Sequence, residues 1–381
     1  MRVLWYCIKA PSPPGPEALG HPELELTCLH ARRVDCGDFG YSEPDPAAYD
    51  APMRLLPVFP VRPYPYSMFT GGLAATLRDV NPELIYAIGE PSELGVAQLL
   101  RAARRVLPEC RTVLLSFENV HRDWRGFPKV LRGRAEAATL PRIDMIRAIT
   151  TGARDVLIER GYPAERIRVL PLGVDTETFH PRDATALRER LSPDGRFLIG
   201  YVGRLVHEKG VDLLLRALSE MDRPAVLCAI GGGALEDELR AMAARPPGVE
   251  VRWLSRVPHD EIARYMCAFD VMVLPSRSIP TWREQFGMVL TEAMACGTPL
   301  IGSSCGAIPE VIGDAGLIVP EEDHLALAGA LDRLAGDGRL RERLSERALA
   351  RTREHFDPRA NLERLVDLFR EALDAPQHGR A

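Results

Sequence analysis

The chain has 381 residues, and at about 100 to 200 residues per domain that length favours two or three domains over one. Hydrophobic residues make up 46% and charged residues 27%, an ordinary globular balance unlike that of a disordered or fibrous chain. The formal net charge of −5, from 48 basic against 53 acidic residues, argues against a protein whose main work is to neutralise nucleic-acid phosphates.

Eight cysteines are spread along the chain with no C-x-x-C pair and no metal-ligand spacing with histidine, so they read as small buried side chains in a reducing compartment. The opening apolar run, Val3 to Ile8, is too short for a signal-peptide core, and no run reaches the ~18 apolar residues of a membrane span. A cytoplasmic protein is expected. Only Lys9, Lys129 and Lys209 are lysines among the 48 basic residues, so each invites a question about its role.

In chain order, residues 2 to 8 read as a first strand, and residues 10 to 20 (APSPPGPEALG) are too rich in Pro and Gly for helix or central strand. Residues 40 to 66, rich in Pro and Tyr, read as irregular structure around an acceptor pocket. From residue 82 strands and helices alternate: strand 83–88, helix 92–107, strand 112–117, strand 144–149, helix 154–160 closed by Gly161, strand 167–170. Residues 173 to 196 interrupt the rhythm with turn residues and charge and are the candidate linker.

Afterwards the alternation restarts with strand 197–202, and helix 211–218 carries Val211, Leu214, Leu215 and Leu218 at i, i+3, i+4 and i+7. Strand 225–230, helix 235–243, strand 249–254, helix 259–268, strand 270–274, helix 286–295 and strand 298–302 follow, then helical segments to the end. The economical architecture is α/β: two doubly wound Rossmann-like domains facing across a cleft. We assign residues 1–180 to an acceptor domain and 181–355 to a donor domain, with 356–381 a terminal helix packing back towards the first. Leu362, Leu365, Leu368, Phe369 and Leu373 form its apolar stripe.

Three segments carry chemistry. Gly203-Arg204-Leu205 follows a strand, and Glu208-Lys209-Gly210 leads into a helix, so two cations stand where a diphosphate is best held. A solvated charged turn is an equal alternative. Gly231-Gly232-Gly233 sits at a strand-to-helix turn, equally fit for structure or ligand, and lacks the G-x-G-x-x-G spacing of a dinucleotide fingerprint. Glu284 and Glu292 lie within about 80° of each other on a helical wheel, with Glu284 preceding the helix and Glu292 inside it. Phe286 and Gly287 then present free N–H groups at the helix start, suited to an anion.

Together these segments resemble glycosyltransferase family 4, retaining enzymes of GT-B fold. The residues that carry the resemblance are Gly203-Arg204-Leu205 with Glu208-Lys209-Gly210, Gly231 to Gly233, Pro275-Ser276, Glu284 to Glu292 with Ala293 to Pro299, and Ile167 to Val174 followed by Asp175 and Phe179. They run in order from about residue 140 to 375, while the first 140 residues are divergent. The resemblance implies that Arg204 and Lys209 bind the diphosphate of a nucleotide-sugar and that Glu284 takes hydroxyls of the transferred sugar. It gives the ribose to Glu292, the surroundings of the sugar or phosphate to Gly203, Gly232, Phe286, Gly287, Met288 and Val289, and the base to the backbone of Arg256 and Val257.

On the acceptor side, where many members place a histidine, this chain has Glu118-Asn119-Val120-His121, so Glu118, Asn119 or His121 is the candidate. No Asp-x-Asp pair occurs, so no metal is expected and cationic side chains take its place. No cofactor is expected either, the nucleotide-sugar being a substrate. The basic stretch 101–134 fits weak docking on an anionic membrane, steering of a phosphate-bearing acceptor, or a plain solvated face.

The function expected is transfer of a hexosyl group from a UDP- or GDP-type donor to a small-molecule or lipid-linked acceptor, in carbohydrate or natural-product biosynthesis. One rival is a non-catalytic nucleotide-sugar-binding partner in a biosynthetic complex. Another is a dinucleotide-dependent oxidoreductase, which would need the fingerprint this chain lacks.

Overall fold

Thirteen short, mostly apolar runs build two parallel sheets, and their burial on both faces is what covering helices require. The computed structural model describes residues 1–8, 16–35, 41–44, 51–61, 64–120, 126–243, 250–255 and 257–375. The chain divides into two units, Met1–Pro171 with Arg359–Ala381, and Leu172–Pro358. The boundary expected after residue 180 therefore falls between Pro171 and Leu172, and residues 356–358 stay with the second unit.

In the first unit the strands lie in the order Ile167–Val169, Met145–Ala148, Arg111–Ser116, Leu84–Ile88, Arg2–Cys7, Glu25–Ala31, Met53–Leu56, every neighbouring pair parallel. The first strand pairs Val3 with Leu26 on one side and with Leu84 on the other, so the order reverses between Arg2–Cys7 and Leu84–Ile88. Leu4, Tyr6, Leu29, Ile85, Leu99, Leu114 and Ile146 meet in its core. Helix Pro358–Asp374 lays Leu365, Leu368 and Phe369 against this unit, with the Phe369 ring edge-on to Tyr86 at 5.3 Å. Ion pairs from Arg370 to Glu23 and from Arg168 to Glu371 flank it.

The second unit has the order Glu250–Leu254, Ala225–Ile230, Phe197–Val202, Val271–Leu274, Leu300–Ser303, Gly316–Val319, again all parallel. Its reversal lies between Phe197–Val202 and Val271–Leu274. Ile199, Leu214, Leu227, Val273, Ile301 and Leu331 fill the core.

Several elements differ from the sequence reading. Pro16–Leu19 forms one helical turn inside the segment read as loop, and a proline at a helix start loses no hydrogen bond. Within the segment read as irregular, Met53–Leu56 joins the main sheet as its edge strand. Strands Glu25–Ala31 and Gly316–Val319 and helices Leu73–Val80 and Gly126–Thr139 were not anticipated. The candidate linker holds helix Thr185–Leu191, which buries Leu187 and Leu191 beside Leu198 and Val226 of the second sheet.

Candidate functional site

In open parallel sheets a ligand is received at the carboxyl ends of strands where the strand order reverses. In the second unit those ends are Val202, continued by Gly203-Arg204-Leu205, and Leu274, continued by Pro275-Ser276. Both loops fold against each other because glycine permits contacts that a side chain would block. A Cβ on Gly210, whose φ is +67°, would stand 2.0 Å from the Pro275 carbonyl oxygen.

The centre of the site is an ion pair. Lys209, at the end of the one-turn helix His207–Lys209, places Nζ 2.6 Å from Glu284 Oε2, and the Ser276 hydroxyl donates to the same oxygen at 2.9 Å. Glu284 is only 6% exposed, and its backbone is held by neighbours: its N–H donates to Cys305 Sγ and its carbonyl accepts from Ala307 N–H. The Trp282 ring centroid lies 5.0 Å from Lys209 Nζ, a cation–π contact.

Arg204 pairs with Glu208 at 3.3 Å, and its carbonyl accepts from the Tyr201 hydroxyl at 2.7 Å. Burial, then the carboxylates of Glu284 and Glu208, push the Tyr201 phenol above its ordinary value, while Arg204 opposes them. One buried hydroxyl thus feels Arg204, Glu208 and Glu284 together, which places the two motif segments around a single locus.

The glycine run divides by role. A Cβ on Gly231 would meet the Gly203 carbonyl oxygen at 2.0 Å and one on Gly233 the Leu205 carbonyl oxygen at 2.4 Å, so both are required by packing of the two loops. Gly232 differs: its Cβ would meet only the end of the Glu236 side chain, at 3.5 Å.

Glu284 precedes helix Met288–Ala295, as the sequence suggests, and Gly287 caps that helix with φ +78° and no side-chain cap. The first N–H groups of the helix, from Met288 and Val289, are those that an α-helix leaves without internal partners. The Phe286 ring is buried edge-on to Phe356, which leaves its side chain out of reach of a ligand. Glu292 lies inside the helix and half-buried; burial raises its carboxyl above the usual range, with His259 opposing. Val257 packs partly buried against the apolar cluster of Leu198 and Val226, and Arg256 lies outside the described residues.

In the first unit Glu118 and Asn119 are buried just past the end of strand Arg111–Ser116. Arg160 engages the Glu118 carboxylate at 2.9 Å, and Glu90 accepts from the Ser116 hydroxyl at 2.6 Å and from Phe117 N–H at 2.9 Å. His121 lies outside the described residues. Among the described residues no group of three or more His, Cys, Asp or Glu side chains is placed to hold a metal ion. Nor is any described helix long and apolar enough to cross a membrane.

Ser276, Trp282, Glu208 and Cys305 were not singled out as site residues from the sequence. Ser276 had a signal as part of Pro275-Ser276, one of the elements that carry the family resemblance, whereas Trp282 had only its nearness to Glu284, two positions on. Cys305 had none, because its contact with Glu284 spans 21 residues.

These two doubly wound units define the GT-B class of glycosyltransferase folds, and solved structures agree. HepE of Anabaena, in complex with UDP, superposes with a TM-score of 0.76 over 97% of this chain and 100% of that one, at 18% identity. Sucrose-phosphate synthase from Thermosynechococcus elongatus gives 0.71 over 97% and 98%, at 19% identity.

The family itself follows from sequence models. Residues 183–351 match the model described as glycosyl transferases group 1, and residues 17–173 match the glycosyl transferase 4-like domain. The chain belongs to glycosyltransferase family 4. A D-inositol 3-phosphate glycosyltransferase of Acidothermus cellulolyticus is 34% identical over 240 residues, 58% of this chain and 52% of that protein. The corresponding protein of Stackebrandtia nassauensis is 30% identical over 276 residues, 67% and 61% of the two chains. The matched region therefore spans 52% and 61% of these curated relatives.

Proposed function

We propose that the chain is a retaining glycosyltransferase that moves a hexosyl group from a UDP- or GDP-type nucleotide-sugar to a small-molecule or lipid-linked acceptor. The observation that carries this reading is the buried Lys209, Glu284 and Ser276 cluster at the reversal point of the second sheet. In this reading the donor diphosphate replaces Glu284 as the partner of Lys209, and Arg204 reaches it from the preceding loop. Negative charge grows on the diphosphate as the sugar–oxygen bond breaks, so two fixed cations stabilise the transition state more than the ground state. They take the part that a divalent metal plays elsewhere, and neither metal nor cofactor enters the proposal.

Glu284, released from Lys209, accepts hydrogen bonds from hydroxyls of the transferred sugar, and Ser276 keeps one of its oxygens in place. The N–H groups at Gly287, Met288 and Val289 face the anionic end, with the Phe286 backbone beside them. Glu292, half-buried in the helix, accepts from the ribose hydroxyls. Gly203 and Gly232 leave room for the donor, and the backbone of Val257 borders the base.

Relatives guide the substrate panel. HepE has been solved with UDP-glucose, and the curated relatives are named for an inositol phosphate acceptor. UDP-glucose and GDP-hexoses are therefore the first donors to try and an inositol phosphate the first acceptor. A cytoplasmic site of action is part of the same reading. A donor at a hundredfold excess over its dissociation constant should stabilise the native chain by about 2.7 kcal/mol, which a thermal shift resolves. The proposal expects one nucleotide-sugar to raise the midpoint, the effect to vanish in Lys209→Ala, and labelled sugar to appear on an acceptor. A midpoint unmoved by every nucleotide-sugar sinks the donor assignment. Binding without turnover on any acceptor would instead favour a non-catalytic partner, a reading to which the engagement of Glu118 by Arg160 lends weight.

A further inference from the structure

The basic stretch noted in the sequence does not act as one surface. Arg111 is paired with Asp144 at 3.2 Å, and Arg132 is buried with a guanidinium N–H donated to Ser92 Oγ at 2.6 Å. Arg122 and Arg125 lie outside the described residues. Lys129 and Arg134 stand exposed on helix Gly126–Thr139. A compact group lies at the far end of helix Leu94–Val106. Arg101, Arg104 and Arg105 stand at i, i+3 and i+4, exposed and side by side.

None of these three has an ion-pair or hydrogen-bond partner among the described residues. A fourth arginine, Arg142 from the one-turn helix Leu140–Arg142, closes the group from the other side. One of its N–H groups donates to the Ala138 carbonyl, and its buried Nε has no hydrogen-bond partner among the described residues. Burial, and then Arg104, Arg101 and Arg105, depress its guanidinium below the ordinary value. Folding has assembled like charges, a state that an anion would relieve.

The anion would have a place. A cavity of about 150 Å³ opens between Arg104 and Arg142, floored by Leu100, Ala103 and Cys110. One carboxylate, Asp144, also lines it, and both of its oxygens are already engaged, by Arg111 and by the Thr112 N–H. The cavity sits at the amino-terminal end of strand Arg111–Ser116, whereas Glu118 and Asn119 follow the carboxyl end of the same strand. It belongs to the first unit, and Lys209 and Glu284 to the second.

We propose that Arg104 and Arg142, flanked by Arg101 and Arg105, form a binding site for a phosphate-bearing ligand, separate from the donor site. Guanidinium groups match phosphate oxygens in geometry as well as charge, and two that line one cavity can share a single phosphate. The phosphate arrives either on a free small molecule or on a lipid headgroup. The chemistry recognised is the same.

The test uses the full chain saturated with UDP, with inorganic pyrophosphate titrated in a calorimeter and, separately, co-sedimentation with vesicles containing phosphatidic acid. The expected result is binding in one arm that weakens roughly tenfold or more in Arg104→Gln/Arg142→Gln and is unchanged in Lys209→Ala. Pyrophosphate binding identifies a free ligand, and binding to vesicles alone identifies the headgroup. The exposed pair Arg101→Gln/Arg105→Gln, which removes charge without touching the fold, should weaken the same arm by a smaller factor. No binding in either arm, or binding that the arginine variants leave intact, overturns the proposal; so does binding lost in Lys209→Ala, which would trace the signal to the donor site.

Discussion

At the scale of single residues, the Lys209–Glu284 pair ties donor affinity to stability. Removing one partner of a buried ion pair strands the other charge, so Lys209→Ala should lose about 3–5 kcal/mol, read from urea unfolding. Lys209→Met combined with Glu284→Gln removes both charges and should recover most of that loss while donor binding stays absent. Recovery of donor binding in the double variant would contradict the diphosphate role. Gly210→Ala should be more damaging than its size suggests, since the methyl would sit 2.0 Å from a carbonyl oxygen in backbone of positive φ. Glu292 behaves in the opposite sense to the pair. Because burial raises its folded-state value, the folded chain binds that proton more tightly, and the destabilising effect is fully present above the raised value and fades as pH falls through the carboxylate range. Glu292→Gln should therefore raise the melting midpoint at neutral pH and leave it unchanged in acid, while weakening the donor. The individual motif residues were legible in the sequence because their spacing is local. Their pairing was not: Lys209 and Glu284 are 75 positions apart, and only the sheet brings them together.

At the scale of elements, legibility followed burial on both faces. Strands such as Leu84–Ile88, Phe197–Val202 and Ala225–Ile230 are unbroken apolar runs and could be read directly. Glu25–Ala31 escaped because Glu, Thr and His interrupt its pattern, although the strand is buried from Cys28 onward and His30 donates Nδ1–H to the Cys7 carbonyl. Gly316–Val319 escaped because four residues at a sheet edge carry little period. Asp337 opens helix Gly338–Arg351 by accepting from Leu340 N–H at 2.9 Å, and Asp337→Ala should destabilise by about 1 kcal/mol with no change in donor affinity. A change in donor affinity there would mean that this helix reports to the site.

At the scale of the whole molecule, both sheets and their doubly wound order follow from alternating strands and helices, which the sequence displays, whereas the return of the last helix to the first unit depends on which apolar surface it covers. That helix is not an accessory. Phe369 packs on Tyr86, which in turn stands 4.6 Å from Trp5, so the last described helix touches the first strand's own layer of aromatic rings. Truncation after Pro358 should uncover this layer and lower the midpoint of the first unit while the second unit keeps its own transition, a split visible by calorimetry. One consequence concerns birth rather than stability. The second unit is a single uninterrupted stretch, Leu172–Pro358, while the first is written in two pieces with that stretch between them. A ribosome therefore delivers every residue of the second unit before it delivers the helix that finishes the first, so the half begun earlier is completed later. Nascent chains arrested with residue 358 just outside the exit tunnel should carry a protease-resistant second unit joined to a first unit that is still cut.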